Sequence, residues 1–175
     1  MAEAVAAAVA IAGRELLGSG SILREVRAAA ELLRDDFQIA SDVWSVTSFG
    51  ELRRDGHAVD RWNTLNPSEP QRQSVVEELL SGAAGPVIAA TDYVRSVPEQ
   101  IRPYVAATYR TLGTDGFGRS DTRERLRHFF EVNRFFVAVA ALKALCDDGR
   151  IPPATVRQAI EKYGIDPEKA NPLVS

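Results

Sequence analysis

Side chains able to do chemistry are few in this sequence, and they sit apart. His57 and His128 have no histidine or cysteine companion nearby, whereas a zinc site needs three or four such ligands. Neither is read as a metal ligand; His128, between Arg127 and the pair Phe129-Phe130, reads as a rim or surface histidine. Cys146 is the sole cysteine and lies in an apolar run, so one chain can form no disulfide or thiolate zinc cluster. No GxxxxGK phosphate loop and no GxSxG elbow occur. Gly18-Ser19-Gly20-Ser21 follows a strand-like segment but lacks the third glycine of the dinucleotide fingerprint.

Two features remain. Small polar residues close each strand-like run: Ser19 and Ser21, Thr47 and Ser48, Thr91 and Asp92, Thr114 and Asp115. Such residues cap the helices that follow by accepting from free backbone N–H groups. In a parallel sheet they also share the carboxyl edge, where open α/β folds place ligands, so together they could line a contact surface. The second feature is the loop 113–121, GTDGFGRSD. Its three glycines permit positive φ or close approach of another chain. Phe117, isolated between two of them, either inserts elsewhere than the local core or is the one core Phe of a strand-to-helix turn. Arg119 is placed to meet a carboxylate or an anion. Ser19, Ser21, Asp115, Phe117, Arg119 and Ser120 are therefore the interface or anion candidates.

The elements that must position them alternate short apolar runs with amphipathic segments, the pattern of an α/β fold with a largely parallel sheet. Strands are expected over 14–17, 42–47, 86–90 and 109–112. Helices are expected from Ser21, over 49–54, over 74–80, over 93–104 with a break near Pro98, from a cap at Asp121 with Glu124 completing a capping box, and over 153–163. The stretch 55–70 reads as irregular. Residues 133–147 are apolar nearly all round, the mark of a helix buried on most sides. Phe129, Phe130, Phe135 and Phe136 flank a break at Val132-Asn133 and read as core. The tail after Gly164 reads as extended over the surface.

With 175 residues, the chain fits one domain. Its 45% hydrophobic and 26% charged residues exclude a disordered chain, and a net charge of −3 leaves no basic footprint for nucleic acid. No apolar run reaches the roughly 20 residues of a membrane span. The first dozen residues are rich in Ala and Val, but Glu3 and the lack of a basic leader argue against a signal peptide. A single cysteine fits a reducing cytoplasm.

The words LLGSGSILREV, DVWSVTSF, RWN, PVIAATDY, IRPY, LGTDGFGRSDTRE, FFEV, KYGID and NPL occur in that order. In them the chain resembles, from about Leu16 to Leu173, the C-terminal domain of homodimeric bacterial pyruvate dehydrogenases. The resemblance implies a transketolase-type domain, a three-layer open sheet of mostly parallel strands, about five, with one antiparallel. It also implies upstream domains that bind thiamine diphosphate and magnesium and decarboxylate pyruvate, a second subunit, and transfer of the acetyl unit to the lipoyl group of an acyltransferase component. It assigns this domain an assembly role with no cofactor ligand, and the magnesium motif, GDG with a downstream Asn, is absent. The Ala-rich stretch 1–13 departs from the family pattern and is read as a lead, leaving 14–175 as the domain.

Overall fold

The computed structural model describes residues 14–175; the lead over 1–13 lies outside the described residues. Four short strands form the sheet: β1 (Glu15–Gly18), β2 (Asp42–Ser45), β3 (Val87–Ala90) and β4 (Tyr109–Leu112). Their order is β2-β1-β3-β4 and every pairing is parallel, with Leu16 opposite Val43 on one side and Ile88 on the other. The α/β class thus holds. Among the described residues the sheet has four parallel strands, in place of about five with one antiparallel. After β4 the apolar residues repeat at helical spacing, so the chain there supplies helices and no further strand.

Period-two alternation sends neighbouring side chains to opposite faces. Leu16, Ile88, Ala90 and Leu112 join one core, which is covered by α1 (Leu23–Phe37), α6 (Arg134–Asp147) and α7 (Pro153–Lys162). Leu17, Val87, Ala89 and Tyr109 join the other, covered by α2 (Phe49–Leu65), α3 (Val75–Leu80) and α4 (Ser96–Glu99). The result is three layers. Helix α6 packs between α1 and α7 and over β3 and β4. Its buried Val137, Ala141, Leu142 and Leu145 explain the all-round apolar sequence. Each such Leu or Val contributes about 1.5–3 kcal/mol when fully buried.

Several boundaries differ from the sequence reading. Helix α2 runs on to Leu65, where 55–70 reads as irregular. The loop that follows folds back, with Arg72 stacked 3.6 Å from the Trp62 ring and Asn63 bonded to both backbone groups of Arg72. Helix α5 (Arg123–Phe129) is capped by Thr122, not Asp121; Asp121 instead accepts from the Thr122 N–H at 2.7 Å. Pro98 lies in the first turn of α4, where its missing donor is harmless, and the chain leaves the helix after Glu99. Ser74 closes a full capping box with Glu77. The tail is not extended: it forms turns, Lys169 donates to the Phe129 carbonyl at 3.0 Å, and Pro172 is buried.

Candidate functional site

Parallel strands leave their carboxyl ends on one edge, and the strand order reverses direction between β1 and β3. At such a switch point the loops diverge and leave a crevice. Ser19 and Ser21 follow β1 there, and Thr91 and Asp92 follow β3. Ser19 is buried and its hydroxyl donates to Thr91 Oγ1 at 2.8 Å. Ser21 Oγ donates to Asp92 Oδ2 at 3.0 Å and accepts from Arg127 Nη2 at 3.1 Å. Thr114 Oγ1 donates to the Asp92 carbonyl at 2.8 Å. Of the strand-end residues named above, only Ser48 caps the next helix, accepting from the Glu51 N–H. Ser19, Ser21, Thr91, Asp92, Thr114 and Asp115 lace the loops together, which rigidifies the edge.

The loop 113–121 is held by the same lacing. Asp115 accepts from the Arg95 N–H at 3.0 Å and pairs with the Arg95 guanidinium at 3.2 Å. A Cβ on Gly113 would come within 2.6 Å of the Arg95 nitrogen, and Gly116 has φ +114 against the Pro172 carbonyl, so both positions require glycine. Gly118 meets nothing. Phe117 does stay out of the local core, 73% exposed. The Arg119 guanidinium lies 4.0 Å from the Phe129 ring centroid. Ser120 is exposed.

Around this edge Tyr93, Val94, Phe117, Leu173 and Val174 are all exposed apolar side chains. Their segments are stitched together, since the Thr114 N–H donates to the Tyr93 carbonyl and Gly116 abuts Pro172 and Leu173. Contiguous apolar surface of this kind marks an interaction face.

Beside the patch a cleft of about 590 Å³ opens. Ile22, Leu126, Phe130 and Val132 give it apolar lining, and Arg119, Arg123 and Arg127 line it with Ser21, Asp92 and Asp121. Of the six sequence candidates, Ser21 and Arg119 reach this cleft; Ser19 and Asp115 are consumed in internal bonds, and Phe117 and Ser120 lie outside it. Arg123 and Arg127 were not singled out from sequence, although they stand four residues apart, the spacing of one face of α5.

Arg127 is anchored from behind by Glu25, at 3.0 Å, which also takes Arg134 at 3.0 Å. Burial pushes the Glu25 carboxyl up, but the hydrogen bonds and charges of Arg134 and Arg127 outweigh it and hold the group below its ordinary value. Among the described residues no cluster of three His, Cys, Asp or Glu could hold a metal ion. The three guanidiniums of the lining suit an anion.

Fold and edge together define an α/β domain of the transketolase C-terminal type. The chain belongs to the transketolase-like TK C-terminal domain family, whose model matches residues 5–133. It is 63% identical to the pyruvate dehydrogenase E1 component of Pseudomonas aeruginosa over 91% of its length. The E1 components of Cupriavidus necator and Escherichia coli K12 are 59% and 54% identical over 91% and 92% of it. The chain spans 18% of the length of these relatives. A solved structure described as a split gene transketolase, inactive beta4 tetramer, superposes with TM-score 0.52 at 17% identity, covering 77% of this chain and 39% of that one. That likeness concerns the fold alone. No helix among the described residues is long and apolar enough to cross a membrane.

Proposed function

We propose that this chain is the C-terminal assembly domain of a thiamine-diphosphate-dependent pyruvate dehydrogenase. The parent, a cytoplasmic homodimer, decarboxylates pyruvate and acetylates the lipoyl group of an acyltransferase component. The single observation that carries this reading is 63% identity to an E1 component over 91% of the chain. Thiamine diphosphate and magnesium are held by the upstream domains, where they supply the chemistry; this domain contributes shape and surface. The exposed apolar face of Tyr93, Val94, Phe117, Leu173 and Val174 is the docking surface for those cofactor-binding domains. The relatives are several times longer than this chain, so a surface of this size has a covering partner within one polypeptide.

The test is a chimera. The matching C-terminal segment of the Pseudomonas aeruginosa E1 component is replaced by this chain, and thiamine-dependent pyruvate decarboxylation is measured. We expect an active, assembled enzyme, while the 175-residue chain alone turns over no pyruvate. A chimera that folds but fails to assemble or turn over would overturn the reading, as would turnover by the chain alone.

A further inference from the structure

We propose that the cleft at the β1/β3 switch point binds a small phosphorylated organic molecule, with its phosphoryl group between Arg119 and Arg123. The argument begins with charge. The chain carries a net −3, yet three arginines converge on this one cleft. Arg127 is neutralised by Glu25 on its far side, in a neighbouring cleft of about 560 Å³ that shares Arg123 and Arg127. Of the cleft's own carboxylates, Asp121 sits 3.7 Å from Arg125, while Asp92, bonded to the neutral Ser21 hydroxyl at 3.0 Å, keeps its charge, one carboxylate against two guanidiniums. Among the described residues Arg119 and Arg123 have no carboxylate partner; Arg119 is braced by the Phe129 ring alone.

Two guanidiniums without an ion-pair partner among the described residues, lining one cavity, suit a phosphoryl group, which accepts parallel N–H donors. The glycine loop adds donors. From Gly116 to Ser120 the backbone N–H groups make no hydrogen bond to another protein group, and phosphates are commonly cradled by such loops. Ile22, Leu126, Phe130 and Val132 add apolar lining, so the ligand has an organic body as well as a charge. A volume of about 590 Å³ lies in the range of small-molecule sites. The bound molecule would open onto the apolar docking face, so its occupancy would be felt at the domain boundary.

The experiment titrates inorganic phosphate and phenyl phosphate into the 175-residue chain by calorimetry and maps backbone amide shifts. We expect saturable binding of phenyl phosphate, about tenfold tighter than inorganic phosphate because the ring is removed from water, with shifts centred on residues 116–123. Arg119→Gln and Arg123→Gln are each expected to weaken binding roughly tenfold, the effect of one charge-assisted contact. Arg61→Gln, at an exposed side chain of α2 outside the cleft, is expected to leave it unchanged. AMP and ribose 5-phosphate distinguish a nucleotide from a sugar phosphate, and saturable binding of either supports the site. Arg123 is exposed, so Arg123→Gln remains informative if Arg119→Gln destabilises the fold. Absence of saturable binding by all four probes overturns the proposal, as do shifts centred elsewhere or affinities indifferent to both substitutions. None of these outcomes depends on the chimera, so the two readings fail separately.

Discussion

Glu25 is the carboxylate on which this edge turns. It is 6% exposed and receives Arg127 Nη1 at 3.0 Å, Arg134 Nε at 3.0 Å and the Arg134 backbone N–H at 3.1 Å. Removing one partner of a buried ion pair leaves the others uncompensated, so Glu25→Ala is expected to destabilise the chain by about 3 kcal/mol, read as a lower urea midpoint. Its folded-state pKa lies below the unfolded value, so the unfolded state holds the proton more tightly. The stability it provides is complete above the unfolded carboxyl range, about pH 4–5, and is lost as pH falls through the depressed folded value. Urea midpoints measured across that acid range should fall more steeply for the native chain than for Glu25→Gln; equal slopes would remove Glu25 from the account. From sequence Glu25 looked like any helix-surface residue, because its partners stand 102 and 109 positions away.

At the scale of elements, α2 is the instructive case. Its second half, GHAVDRWNTL, has a glycine and few apolar residues, so neither propensity nor periodicity announces a helix. Tertiary packing makes it one. Gly56 lies against Tyr104, and an added Cβ would stand 2.3 Å from the ring. The Tyr104 hydroxyl donates to Asp60 at 3.0 Å, and burial followed by that carboxylate pushes its pKa up to about 12. Two glycines of one helix should therefore respond with opposite sign. Gly50→Ala, with only Ser48 Oγ at 3.7 Å, is expected to raise stability by about 0.5–1 kcal/mol through propensity. Gly56→Ala is expected to lower it by about 1–3 kcal/mol through overpacking, and thermal melts of both would show whether the ring or the backbone decides. Ser74 with Glu77 and Asn133 before α6 sit where the sequence places helix starts, whereas the box expected at Asp121 gives way to a cap by Thr122 one residue on.

At the scale of the molecule, a covered domain should tolerate changes alone that it cannot tolerate in its assembly. Phe117 is 73% exposed, so Phe117→Asp in the 175-residue chain is expected to shift stability by no more than about 0.5 kcal/mol. In the chimera the same change buries an unpaired carboxylate against the upstream domains, and loss of assembly by size-exclusion chromatography is expected. If assembly survives, the apolar face is not the docking surface.

The residues by themselves determined the layers: four runs of alternating apolar side chains, β4 over Tyr109–Leu112 to the residue, and helices between them, because these depend on period and on neighbours a few positions away. The words from LLGSG to GTDGFGRSDTRE likewise carried the family. Only the tertiary structure decided that Ser19 meets Thr91, 72 positions on, and is lost to the surface. It alone brought Arg119 and Arg123 to one cleft, without an ion-pair partner among the described residues. Strand order sets which loops face each other, and no local pattern encodes strand order.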